Sequence, residues 1–491
     1  MLSNMNKEIK YLKDNYKVIF FIALVSYLFA YGFELTHFTL SIDEEYLDNF
    51  AGTVSFGRWG HALLREYILP EPYIPFFTTA ISIVSLSLCA TLSARLIGLQ
   101  GVPAICFAML IVGIPQVAYQ MSFSNQSDTV SIAFLFSAIA VYFTRNLSKL
   151  GFVALSVILV IPASIYQSVL FYAVSLLLLS LLFNVIYKDY NFRDVAYRLL
   201  FMFFALVVAV IINSIMARFI QSFYGIASSD YLTNMITWGK KDTGYLVIQL
   251  YRMVIRSLTF NNYTGLNGFS LSILSCVLLA IYTLKCRSKP LIAFLVVGSL
   301  ISPFFLPFLT GTELSPRTST QLPLIFAGLS AIVITLSGVT LLPLALSVIV
   351  LICGASVSNR LFYSDYMARK SDVMNAERMM TIAHLKFPEF DYKRNPVFFY
   401  GAFTPVNNWN IDKTNVFGAS FFDWDGGNNR RIYAFFSVTN IANMRKPDND
   451  QKNKSIAYAK DKPAWPSSEA VMMNDGVLII KLGDKLNRYN W

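Results

Sequence analysis

Long apolar runs broken by short polar stretches dominate the chain from Lys17 to about Asn359. A helix that crosses a bilayer needs about 20 mostly apolar residues. The runs at 17–39, 74–97, 101–121, 127–145, 150–166, 168–187, 197–220, 265–285, 290–309, 318–336 and 338–357 approach or meet that length. The pattern predicts about eleven transmembrane helices, of which the fifth and sixth are nearly continuous and open to reading as a re-entrant pair. The first run ends in Glu34, His37 and Phe38 without a small-residue cleavage pattern, so it reads as a span and not as a leader. From Arg360 to Trp491 the pattern becomes that of a soluble domain. It predicts a helix over 358–385 and strands over 396–400, 431–438 and 476–482. The fold class is therefore an α-helical polytopic membrane protein, residues 1–359, followed by a small α/β domain, residues 360–491.

Two polar loops inside the membrane domain are long, 40–73 and 221–263. In the first, Tyr46, Phe50, Val54, Trp59, Leu63 and Ile68 recur at roughly helical spacing, as in helices that lie in a membrane interface. In the second, Arg252 and Arg256 share a helix face, suited to lipid phosphate or to simple anchoring at the interface. Lysine and arginine in short loops set orientation. Lys7, Lys10, Lys13, Lys17, Arg95, Arg145, Lys149, Lys188, Arg193, Arg198, Lys285, Arg287 and Lys289 would share one side, which places the N-terminus in the cytoplasm. Both long loops and the C-terminal domain then lie outside it. Most span prolines, among them Pro72, Pro115, Pro162, Pro303 and Pro316, fall in the outward portions. Broken backbone at that depth needs protein or a water-filled cavity to satisfy it, so a cavity opening outward is expected.

Composition agrees. The chain is 55% hydrophobic and 14% charged, against about 25% charged in soluble proteins. The net charge of +11 follows partly from the loop bias, and no basic-aromatic motif points to nucleic acid. The five cysteines, Cys89, Cys106, Cys276, Cys286 and Cys353, lie in spans or at their ends, with no metal-ligand spacing. The C-terminal domain has none and holds no internal disulfide.

Asp43-Glu44-Glu45 follows the first span. Carboxylates beside a membrane domain are costly to desolvate and ask for a reason. Ser41 and Glu44 fit a capping box at a helix start, which accounts for Glu44 but not for Asp43 or Glu45. Polytopic membrane enzymes of the GT-C class carry an acidic pair at this place. More narrowly, the chain resembles the phage-type, serotype-converting O-antigen glucosyltransferases that modify lipopolysaccharide. The residues that carry the resemblance are Ser41-Ile42-Asp43-Glu44-Glu45, Phe56-Gly57-Arg58-Trp59-Gly60, Tyr166-Gln167, Pro316-Arg317 and Val477-Leu478-Ile479-Ile480-Lys481, in that order along most of the chain. The resemblance implies an undecaprenyl-phosphate-glucose donor and an O-antigen glycan acceptor.

The residues suit that chemistry. A sugar hydroxyl is a weak nucleophile until a carboxylate takes its proton, and Asp43 is the expected base. Glu44 is the second catalytic candidate. Glu45 or Glu44 would orient the acceptor or adjust Asp43 as a neighbouring charge. The leaving phosphate needs a cation. Arg317 stands first, with interface anchoring or a pair with Glu313 as its structural alternative, and Arg58 second. Asn125, Gln126 and Asp128, in a short outer loop, and Tyr166 and Gln167, at an outer turn, are candidate sugar contacts. No metal or cofactor is assigned, although hard cations also favour carboxylates. A transporter or flippase of a lipid-linked sugar is the rival class. It would show internal repeats and midplane charges, and neither is evident. Other polyprenyl-phosphate-sugar-dependent envelope transferases are not separated from the first reading by sequence.

Overall fold

The computed structural model of the chain describes residues 2–259, 268–284, 286, 288–411 and 414–486. Lys285 and Arg287 of the charge bias lie outside the described residues, as do the side chains of Lys7, Lys10 and Lys13 and the junction of loop 221–263 with the span after it.

Each predicted span coincides with an apolar helix. Among the described residues, Pro75–Ile97, Ser127–Arg145, Gln167–Tyr187, Phe192–Phe223, Lys289–Thr310 and Leu341–Lys386 are long and apolar enough to cross a membrane. Tyr16–Tyr31, Gly101–Gly113, Lys149–Ile165, Gly268–Tyr282 and Leu322–Ser337 are apolar but shorter. Phe203, Val207, Ile211, Ile215 and Phe219 stand exposed along the helix Phe192–Phe223. A continuous apolar face of this kind suits lipid and not water. Polar side chains inside the helices bond to their own backbone: Ser82, Ser87 and Thr91 each donate to the carbonyl four residues back at 2.7 Å, which satisfies them without water. Close helix packing depends on small residues. A Cβ on Gly354 would lie 2.1 Å from the carbonyl oxygen of Gly113. The fifth and sixth predicted spans are separate helices, divided at Tyr166, whose backbone is extended (φ −155°, ψ 103°).

The chain divides into two compact units, Met1–Thr36 with Asp48–Asn359, and His37–Leu47 with Arg360–Trp491. The acidic segment, expected from sequence to belong with the outer loop of the membrane domain, thus belongs to the second unit. In the first unit, the loop after it forms the helices Phe50–Ser55 and Trp59–Tyr67. Of the apolar face that the spacing predicts, Phe50, Val54, Trp59 and Leu63 pack with Ala62 on Ile220, while Ile68, just past the end of the second helix, is exposed. Tyr46 falls in the other unit.

In the second unit, β1 (Val397–Tyr400), β2 (Val471–Asn474) and β3 (Val477–Lys481) form a sheet in the order β1-β3-β2. β1 runs parallel to β3, pairing Val397 with Leu478, and β2 runs antiparallel, pairing Val471 with Ile480. Both faces are covered, which explains the uninterrupted apolar runs. Phe398, Tyr400, Val477 and Ile479 pack with Ala459 and Met472, while Phe399 meets Tyr433 and Phe436. The strand expected at 431–438 is instead the helix Asn429–Val438. Asn428 caps it by accepting from the Arg430 amide at 3.0 Å, and Ile432, Phe435 and Phe436 fall on one buried face, a helical period that the aromatic residues disguise as a strand. β2 escapes prediction because it is short and half buried. The helix expected at 358–385 continues the last span without a break as Leu341–Lys386; its one proline, Pro343, stands in the first turn, where no intrahelical hydrogen bond is lost.

Candidate active site

Ser41, Ile42, Asp43 and Glu44 form a tight turn and not a helix start. The Glu44 amide donates to the Ser41 carbonyl at 3.1 Å. Asp43 takes a left-handed backbone conformation, φ 81°, which Asp and Asn adopt more readily than other non-glycine residues. The Glu44 carboxylate reaches back to the Ser41 amide at 2.8 Å and is fully buried. The reciprocal bonding expected of a capping box is present in part, closing a turn. Ser41 Oγ donates to Asp365, which also accepts from the Gly418 amide at 3.2 Å. These bonds hold the acidic segment within the second unit.

Three carboxylates converge on Arg431. Its Nη2 lies 2.9 Å from Asp43 Oδ1, its Nη1 2.5 Å from Glu45 Oε1 and its Nε 2.8 Å from Asp425 Oδ2. Asp425 is carried by the turn Asp423-Trp424-Asp425-Gly426-Gly427. Gly427 there has φ 76°, and a Cβ on it would sit 2.2 Å from the Gly401 carbonyl oxygen, so only glycine fits. The exposures differ: the side chain of Asp43 is 47% accessible and that of Glu45 0%. Burial raises Glu45 above the usual carboxylate range, and Arg431 only partly opposes this. Burial also disfavours the Arg431 charge, but Glu45 and Asp43 outweigh it and hold the guanidinium more firmly protonated than usual. Of the sequence-predicted trio, then, Glu44 closes the turn, Glu45 is buried on the arginine, and Asp43 faces outward. Arg431 and Asp425 were not singled out from sequence. Arg431 lies 386 residues from Glu45, and its signal, a basic pair two residues after an acidic Gly-Gly turn, is a common one.

The first unit holds a second cluster. Arg58, between Gly57 and the helix Trp59–Tyr67, stacks its guanidinium 4.6 Å from the centre of the Tyr166 ring. Arg317 lies 4.6 Å over Phe123, on a turn anchored where Gln116 Nε2 donates to the Pro316 carbonyl at 2.5 Å. Glu313, the alternative partner considered for Arg317, pairs with Arg256 at 2.7 Å. Among the described residues, neither Arg58 nor Arg317 forms an ion pair, and the buried Arg58 Nε makes no hydrogen bond. Burial lowers the Arg58 pKa, Arg317 adds to this as a like charge, and Tyr166 and Tyr231 oppose it. Two arginines that repel each other, beside aromatic rings and without a carboxylate, suit an anion such as phosphate. Gln167 begins the short helical turn after Tyr166, half buried.

Asn125, Gln126 and Asp128 lie at another junction of the first unit. Arg65 donates to Asp128 Oδ1 at 2.5 Å, to the Asn125 carbonyl at 3.0 Å and to the Pro70 carbonyl at 3.3 Å. The Gln126 carbonyl accepts from Thr129 Oγ1 at 2.9 Å, and His61 Nδ1 bonds the same hydroxyl at 2.8 Å. Burial pushes His61 down to about 3, so it is neutral. These bonds staple the helix Trp59–Tyr67 to the start of the helix at Ser127. Removing one partner of a buried pair leaves the other charge uncompensated. Asp128→Asn is therefore expected to cost about 3 kcal/mol of stability, read as a lower unfolding temperature of the detergent-solubilised protein.

A family model described as Glucosyl transferase GtrII matches residues 32–335. No curated protein and no solved structure matches the chain.

Proposed function

This chain belongs to the GtrII glucosyl transferase family, and from that premise we propose that it transfers glucose from undecaprenyl phosphate to the O-antigen of lipopolysaccharide at the periplasmic face of the inner membrane. The membership makes it a glycosyltransferase, and its apolar helices make it a membrane protein. The observation that carries the finer reading is the outward-facing carboxylate of Asp43, fixed in its turn by Glu44 and by Arg431. As the acceptor hydroxyl attacks the anomeric carbon, Asp43 takes its proton. The bond to the lipid phosphate breaks from the opposite face, so the anomeric configuration inverts. The phosphate leaves with the bonding electrons, and its charge calls for a cation, for which Arg58 and Arg317 are the candidates in the first unit. Tyr166 orients Arg58. Outside the cytoplasm nucleotide sugars are absent, which favours a lipid-linked donor.

The test is transfer of labelled glucose from undecaprenyl-phosphate-glucose to O-antigen by the purified protein; labelled lipid moved across the bilayer without a glycosylated product would instead support the flippase reading. Arg317→Ala is expected to lower transfer by about 10²-fold, the size of losing one preorganised charge-stabilising group, with Arg317→Lys recovering part of it. An unchanged dependence on donor concentration in Arg317→Ala would remove Arg317 from the phosphate role.

A further inference from the structure

Beside the carboxylate cluster, the second unit carries an open groove of about 520 Å³, within the size range of small-ligand sites, about 300–1,000 Å³. Lys393, Arg430, Arg445 and Lys446 line it together with Tyr46 and Tyr433. No acidic residue is among its lining residues, and among the described residues none of the four cations forms an ion pair. Arg430 lies 5.5 Å from the centre of the Tyr46 ring and Lys446 Nζ 5.8 Å from that of Tyr433. Ser437 and Asn443, bonded to each other at 2.7 Å, supply further polar atoms. Tyr46 follows Glu45 and Arg430 precedes Arg431 in the chain, so the groove starts where the carboxylate cluster ends.

We propose that this groove binds an acidic segment of the glycan acceptor, a stretch of saccharide bearing carboxylate or phosphate, and so presents the neighbouring sugar to Asp43. The inference rests on the transferase reading for what the bound glycan is, but not for the binding itself. Four unpaired cations without a carboxylate select an anion. The two ring faces and the hydroxyl–amide pair suit a sugar, whereas a lipid surface would meet aliphatic side chains, of which the lining offers only Ala434 and Met444.

The test is equilibrium binding to the full-length protein in discs of uncharged lipid. The probes are trigalacturonate, a phosphorylated maltotriose and neutral maltotriose. At least one acidic probe is expected to bind, and which of the two binds tells carboxylate from phosphate. That binding should fall about tenfold or more in a variant with Lys393, Arg430, Arg445 and Lys446 all changed to Gln, since each contact is charge-assisted. Arg430→Lys with Arg445→Lys should retain it. The residues changed are exposed, and an unchanged unfolding temperature checks the fold. Equal binding of neutral and acidic probes, unaltered binding by the fourfold variant, or displacement by short-chain phosphatidylglycerol would overturn the assignment. The readout needs no glucose transfer, so loss of the transferase reading through Asp43 would leave it standing or falling by itself.

Discussion

Asp43→Asn is expected to cut glucose transfer by about 10²- to 10⁴-fold, the range contributed by a positioned general base. Asparagine is the informative replacement. It tolerates the left-handed conformation that Asp43 adopts at φ 81°, and it retains an oxygen to accept from Arg431. What disappears is the negative charge and the ability to take a proton. Arg431 keeps Glu45 and Asp425, so the unfolding temperature should move by about 2 °C or less. Asp43→Ala would confuse matters by adding backbone strain. Near-normal transfer by a correctly folded Asp43→Asn protein would show that the proton goes elsewhere.

Arg431→Met is expected to cost about 3 kcal/mol of stability at neutral pH, because it strands a buried carboxylate. Glu45 has no accessible side-chain surface. Its pKa is already raised from 4.5 by burial, and without Arg431 it must rise further. The sign follows from linkage. An acid with a raised folded-state pKa favours folding when protonated, so its stability contribution is fully present below the unfolded value of 4.5 and is lost as pH rises through the folded value. The deficit of Arg431→Met against wild type should accordingly be largest near pH 8 and shrink toward pH 5, as followed by thermal unfolding with near-ultraviolet circular dichroism. A deficit independent of pH would mean that Glu45 is not the group left uncompensated.

Parts of the site are legible in sequence and parts are not. Arg58, Tyr166 and Arg317 stand out for the chemistry their side chains offer in outer loops and turns, and the structure brings the two arginines near one another in the first unit. Asp128 stands out for the same reason, but its carboxylate is committed to Arg65. A buried charge signals that a partner exists without saying whether the partner is protein or substrate. The helix Asn429–Val438 misleads for a different reason: aromatic residues favour strands in general, and only a cap at Asn428 and a covered face at Phe435 and Phe436 decide for the helix.

What the sequence by itself determined is the membrane character, the position of each apolar helix, the soluble composition after Arg360 and the presence of an acidic cluster after the first span. These depend on transfer from water, a property that accumulates along neighbouring residues and needs no knowledge of distant ones. Only the tertiary structure decided that residues 37–47 join the second unit, that Glu44 closes the turn, and that Arg431 is the cation which Asp43, Glu45 and Asp425 share. Ion pairing acts over a few ångströms, and the chain brings together residues 386 apart to make it.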